Sequence, residues 1–173
     1  MDIRSPEVVD GIERFDRLDA ADARALVTSW AAVPRWVEAV VAGRPYASVA
    51  ALADAAERVA RTWTDDEVAA ALADHPRIGE RPDGAGASAA ASRVEQSSSA
   101  DADEATRAAI RDGNAAYEAR FDRVFLVRAA GRSADEILAE LRRRLDNDDA
   151  TERAEVAGEL RAIALLRLER TLA

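Results

Sequence analysis

Apolar residues recur along this chain at three- and four-residue intervals, the spacing of one helix face, and polar caps, glycines and prolines cut the pattern into short segments. Asp19-Ala20-Ala21-Asp22 opens a helix with Leu26, Val27 and Trp30 on its apolar side. Pro34 suits the first turn of the next helix, which presents Trp36, Val37 and Val40 and stops at Gly43-Arg44-Pro45. Ser48 starts a longer segment carrying Leu52, Ala56, Val59 and Trp63. Thr64-Asp65-Asp66-Glu67 has the capping-box form, in which a hydroxyl and a glutamate satisfy main-chain donors reciprocally, and the helix it opens runs towards Asp74. Pro76 disfavours helical geometry at His75, so that helix ends there.

From Pro76 to Ser88 the prolines and glycines predict an irregular loop, followed by a short helix around Ala89 to Ser97 and a polar gap. Glu104 to Arg120 reads as a helix, Ser133-Ala134-Asp135-Glu136 is a second capping box opening a helix through Leu145, and Thr151 to Leu172 is a long final helix. Its stripe is Val156, Leu160, Ile163, Leu166 and Leu172. Val124-Phe125-Leu126-Val127 has no helical period and no second run to pair with, which makes it an extended buried segment rather than a strand. Trp30, Trp36 and Trp63 fall at core positions, and Arg142-Arg143-Arg144 reads as a solvated helix face. Nothing in the pattern marks an internal repeat or a domain boundary. The expectation is one all-α domain over 1–173, a bundle of about seven to nine helices.

Composition narrows the chemistry. All 24 basic residues among the 173 are arginine, there is no cysteine, and His75 is the single histidine. Lysine Schiff bases, the P-loop lysine, thiol nucleophiles, cysteine-ligated clusters and ordinary zinc sites are thereby excluded, and no metal site is expected. Thirty-three acidic residues give a net charge of −9, and no long basic run offsets it, so nucleic acid is not an expected partner. No apolar run approaches the ~20 residues that cross a bilayer. The first residues lack a basic stretch followed by an apolar core, so the cytoplasm is the expected location.

The sharpest local feature is His75-Pro76-Arg77-Ile78-Gly79. A histidine at a helix end lies near carbonyls carrying partial negative charge, which favours imidazolium and makes the ring a candidate proton donor. The plain alternative is a helix terminator with an exposed histidine. Ser92-Arg93-Val94-Glu95-Gln96 is the second feature: Ser-x-x-Glu is itself a capping pattern, but the spacing also gathers Ser92, Glu95 and Gln96 on one side of a helical turn. A hydroxyl, a carboxylate and a carboxamide so placed suit an amide-rich polar ligand, and a glutamate near His75 stabilises imidazolium. Arg167 interrupts the final apolar stripe, where a charge must snorkel, pair or face a pocket. Gly84-Ala85-Gly86-Ala87-Ser88 lacks the lysine and the preceding strand of a phosphate loop.

Together these segments resemble the 2-oxo-4-hydroxy-4-carboxy-5-ureidoimidazoline (OHCU) decarboxylase family of urate breakdown. The likeness rests on His75-Pro76-Arg77-Ile78-Gly79, Ser92-x-x-Glu95-Gln96, Phe125-Leu126-Val127 and Arg161-Ala162-Ile163-Ala164-Leu165-Leu166-Arg167-Leu168, in that order. Arg35-Trp36, Arg44-Pro45-Tyr46-Ala47-Ser48, Asn114, Tyr117, Arg120 and Phe121 extend it over nearly the whole chain. The resemblance implies an all-helical, cofactor-free lyase that takes OHCU to (S)-allantoin and carbon dioxide. It implies His75 as catalytic acid supported by Glu95, and Pro76, Ser92, Arg93, Val94 and Gln96 at the substrate. It further implies that Phe125, Leu126, Val127, Arg128 and Ala129 offer main-chain groups to the ligand, and that Arg167 meets an anionic or carbonyl edge. Three departures stand out: Ser97-Ser98-Ser99 where relatives carry small residues including glycine, Asp122 where glycine is common, and Arg128 where cysteine is frequent. The family commonly forms a homodimer, though no exposed stripe here demands one. Two other readings compete: a non-catalytic helical interaction module, and a related ureide enzyme acting on a different ring.

Overall fold

The computed structural model describes residues 11–73, 75, 77–79 and 102–173. Among them are eight helices and no strand. Pro76, Ser92, Arg93, Val94, Glu95, Gln96 and the helix expected over 89–97 lie outside the described residues.

The helices are α1 (Gly11–Arg17), α2 (Ala20–Trp30), α3 (Pro34–Ala42), α4 (Val49–Ala60), α5 (Asp65–Leu72), α6 (Glu104–Phe121), α7 (Ala134–Arg144) and α8 (Asp149–Leu172). Most begin where the sequence places a cap. Asp19, Ser48, Asp103 and Asp148 each accept main-chain N–H groups of the first turn, and Pro34 opens α3. Both capping boxes form, at Thr64/Glu67 and Ser133/Glu136. The helix α1 is an addition to the expected set; too short to show a period, it is held by burying Ile12 and Phe15.

Two hydrophobic cores result. The larger joins α1 to α5 and α8, with Trp30, Trp36, Leu52, Leu160 and Leu168 fully buried and Trp63 at its margin. The smaller joins α6 and α7 through Ile110, Tyr117, Phe121, Ile137 and Leu141, and takes in Ile78. Close approach of α6 and α7 depends on Gly113, since a Cβ there would lie 2.4 Å from Leu141 Cδ2.

Two expectations are corrected. Arg142 and Arg143 are solvated, but Arg144 is 0 % exposed, because the third arginine of the run turns inward to an acidic partner described below. On α8 the buried face continues from Leu160 through Ile163, Ala164, Arg167 and Leu168 to Leu172, which leaves Leu166 half-buried.

Candidate active site

The position of His75 follows from the elements on either side of it. Upstream, α5 is anchored in the larger core by Val68, Ala71 and Leu72. The helix stops at Leu72, whose carbonyl accepts the His75 N–H at 2.9 Å. Downstream, three hydrogen bonds tie the chain to α6. Arg77 grips Glu118 with Nε and Nη2 at 2.5 and 2.9 Å, and Asn114 Nδ2 donates to the Ile78 carbonyl at 3.0 Å. The Arg77 hydrogen bonds hold the Glu118 carboxyl below the ordinary carboxylate range. Ile78 is buried in the smaller core, and Gly79 turns with φ +83°, a left-handed conformation that suits glycine. His75 is therefore half-buried at the joint between the two cores. Asn114 is itself buried, and its Oδ1 has no hydrogen-bond partner among the described residues.

The stretch from Phe125 to Ala129 runs along the same joint. Its side chains alternate: Phe125, Val127 and Ala129 enter the smaller core, and Leu126 enters the larger. This matches the expected extended, buried segment, with Arg128 exposed. Two main-chain groups are held by side chains. Arg144 Nη1 donates to the Leu126 carbonyl at 2.6 Å, and the Arg128 N–H donates to Glu159 Oε2 at 2.7 Å. Phe125 and Val127 make no main-chain hydrogen bond among the described residues.

Behind Leu126 lies a buried polar network. Arg144 Nε is 2.9 Å from Glu152 Oε1, Arg144 Nη2 and the Tyr117 hydroxyl also donate to that carboxylate, and Asn147 Nδ2 donates to Oε2 at 2.8 Å. Both charged side chains are 0 % exposed. The guanidinium carbon sits 4.9 Å from the Phe125 ring centroid and 5.9 Å from that of Tyr117. Burial, and then the hydrogen bond to Glu152, pushes the Tyr117 hydroxyl above its ordinary range, so it stays a donor. At the surface beside it, Arg143 bridges Glu140 and Glu155, whose carboxyls are lowered by those hydrogen bonds.

Arg167 is 5 % exposed and meets α2, its Nη1 lying 3.5 Å from the Ser29 carbonyl. Next to it, Trp30 Nε1 donates to Thr171 Oγ1 at 3.1 Å, which in turn donates to the Arg167 carbonyl at 2.6 Å. The described contacts thus place the His75 turn and the Phe125–Ala129 stretch each between the two cores, and Arg167 at the contact of α2 with α8. A cleft of about 540 Å³ between α5, the end of α6 and α8 is lined by none of the expected site residues, though Leu72 and Ala73 before His75 and Val124 before Phe125 border it. Its arginines are paired, Arg123 with Asp149 and Arg153 with Asp149 and Asp65.

Sequence reasoning passed over Arg144, Glu152 and Glu159. One signal was available: Glu152 continues the register of Val156, Leu160 and Ile163, so a carboxylate stood on an apolar stripe with no cationic residue assigned to it.

Comparison with known proteins adds the following. The family model described as OHCU decarboxylase matches residues 16–169. A 2-oxo-4-hydroxy-4-carboxy-5-ureidoimidazoline decarboxylase of Haloferax volcanii is 31% identical over 137 residues, 77% of this chain and 79% of that protein. Among solved structures, a crystal structure of OHCU decarboxylase in the presence of (S)-allantoin superposes with TM-score 0.69 at 20% identity, covering 82% of this chain and 92% of that one. A crystal structure of (S)-allantoin synthase superposes with TM-score 0.68 at 15% identity, covering 93% of this chain and 54% of that one. At these identities the two structures establish the shared fold.

Proposed function

The chain belongs to the OHCU decarboxylase family of carboxy-lyases, which act in urate breakdown, and we propose that it converts OHCU to (S)-allantoin and carbon dioxide using its own side chains alone. The observation that carries this reading is the family match over 16–169, which spans every expected site residue. That match replaces the reading of a non-catalytic interaction module.

The chemistry suits a chain without lysine. When the bond to the carboxylate breaks, its electron pair needs an acceptor, and OHCU carries one in the C=N bond next to the carboxylated carbon. The pocket turns the carboxylate out of the ring plane so that the breaking bond overlaps that C=N. Carbon dioxide leaves, the ring nitrogen takes a proton, and an enol remains. Ketonisation then delivers a proton to the carbon bearing the ureido group, and delivery from one face sets the S configuration. His75 is the proton donor in this reading and Glu95 keeps its ring cationic. Pro76, Ser92, Arg93, Val94 and Gln96 line the substrate, main-chain groups of Phe125 to Ala129 meet its ring amides, and Arg167 faces a carbonyl or anionic edge. The half-buried seat of His75, fixed upstream by its own N–H on the Leu72 carbonyl and downstream by the Asn114 side chain on the Ile78 carbonyl, supports a donor held in one place. The exposure of Arg128, with its N–H engaged by Glu159, means that arginine in place of the family's usual cysteine changes the surface more than the site. The reaction needs no cofactor in this reading and is assigned to the cytoplasm, with the homodimer of the family as the expected assembly.

The test couples urate oxidase and hydroxyisourate hydrolase to this protein and follows optically active allantoin by circular dichroism, since uncatalysed decay gives a racemate. Wild-type protein should produce the S enantiomer, and His75→Asn should turn over roughly a hundredfold more slowly. Racemic product at the background rate would remove the activity; a His75→Asn variant as fast as wild type would remove His75 from the role of donor.

A further inference from the structure

The stretch from Phe125 to Ala129 belongs to no helix and no sheet, so no main-chain ladder fixes it. It is fixed instead by two carboxylates of α8. Glu159 takes the Arg128 N–H directly at 2.7 Å, and Glu152 acts through Arg144, which holds the Leu126 carbonyl at 2.6 Å. The two glutamates are seven residues apart, two turns of one helix, and so project from nearly the same side of α8. They clamp the chain on either side of Val127, whose own N–H and carbonyl make no hydrogen bond among the described residues.

We propose that Glu159 and the Arg144–Glu152 pair are positioning residues: by holding Arg128 N–H and Leu126 C=O they orient the main-chain donor and acceptor of Val127 towards the amide edge of the substrate. This rests on the functional reading above. The arms differ in kind. Glu159 lies at the surface with its side chain 19% exposed and is also 3.7 Å from Arg132, so its removal leaves an amide that water can reach. Arg144 and Glu152 are wholly enclosed, so their charges can be removed only together.

Glu159→Ala should fold with a wild-type far-ultraviolet spectrum, lower kcat/KM about tenfold or more, mainly through KM, and reduce the optical purity of the allantoin. Glu159→Gln keeps a carbonyl acceptor for the Arg128 N–H and should recover most of the loss, which a role played by charge alone would not allow. Titration of wild-type protein with (S)-allantoin should shift the Val127 amide resonance, and the response should weaken in Glu159→Ala and return in Glu159→Gln. The other arm is removed by Arg144→Met with Glu152→Leu and Tyr117→Phe, which should keep the fold and lose kcat/KM. Unchanged KM, optical purity and Val127 response in Glu159→Ala, or an equal defect in Glu159→Gln, overturns the inference while leaving the decarboxylase reading intact. A wild-type protein without stereospecific activity overturns both.

Discussion

The two cores of this protein solve different problems. The larger is built from tryptophans, valines, leucines and alanines of α1 to α5 and α8, and its polar atoms sit at the ends of large side chains, as in Trp36 Nε1 donating to the Ala56 carbonyl at 2.9 Å. The smaller encloses an arginine and a glutamate, caps the glutamate with Tyr117, and buries Asn114. Repeating helices supply their own main-chain hydrogen bonds, so the larger core rests on shape and apolar area, and the charge it buries, Arg167, reaches to a helix carbonyl, that of Ser29, in the contacts described. A non-helical strip running through an interior must find partners for its carbonyls and amides elsewhere, and side chains on the flanking helices are the available source. The buried charges of the smaller core are thus the consequence of routing Phe125 to Ala129 through it.

The strongest way to break this contrast is to remove one charge from the smaller core. Glu152→Leu puts an apolar side chain of similar size beside Tyr117, yet it strands the Arg144 cation in the interior. It should cost about 3–5 kcal/mol, as much as the about 2–5 kcal/mol of a cavity made by Leu52→Ala in the larger core. The two losses have different cures. Adding Arg144→Met and Tyr117→Phe to Glu152→Leu removes the stranded cation and hydroxyl and should restore part of the stability, with the Leu126 carbonyl left without its Arg144 donor, whereas no second truncation beside Leu52→Ala should restore any. Urea unfolding followed by circular dichroism measures both. If Glu152→Leu alone is as stable as wild type, the buried pair is not what organises the smaller core.

The same contrast explains what could be read from the sequence. Capping boxes at Thr64/Glu67 and Ser133/Glu136, the start of α3 at Pro34 and the apolar faces of α2 to α4 are patterns within a few residues, and each formed as expected. The inward turn of Arg144 was not legible because its partners are far along the chain: Glu152 lies 8 residues away, the Leu126 carbonyl 18, and Tyr117 35 from Glu152. In sequence, three consecutive arginines after an apolar helix face look solvated, and two of them are. His75 was legible because a proline and the end of a capped helix bracket it. Its seat at the joint of two cores depends on Asn114 and Glu118, contacts made across 36 and 41 residues.

A smaller effect separates the buried pair from an exposed one at the rim of the larger core. Arg35 Nε and Nη2 both reach Glu67, each at 2.8 Å, and the Thr64 N–H caps the same carboxylate. These bonds, the arginine's first, hold Glu67 down to about 2 against an ordinary 4.5. A folded value below the unfolded one means that the contribution is fully present above about pH 4.5 and is lost as the pH falls through about 2. Glu67→Gln should therefore flatten the decline in stability across that window and leave the slope above it unchanged. Unfolding midpoints at a series of acid pH values decide the matter, and an unaltered slope in the variant would detach Glu67 from the acid response.

The smallest effect concerns the residue that ends α6 and leads into the Phe125 stretch. Asp122 has φ +53° and ψ +37°, the left-handed conformation in which helices commonly finish, and its N–H closes on the Glu118 carbonyl. This is the position where the family commonly has glycine, and the backbone supplies the reason: a Cβ is strained here, and aspartate is among the residues that bear that strain best. Asp122→Gly should stabilise by about 0.5 kcal/mol or be neutral, whereas Asp122→Val, branched at Cβ, should cost about 1–2 kcal/mol. Because the side chain is exposed, neither change removes a core contact, so the difference between the two reports backbone conformation alone. Equal stabilities for Asp122→Gly and Asp122→Val would show that α6 ends by another conformation in solution, and with it that the path into Phe125 is not set by this turn.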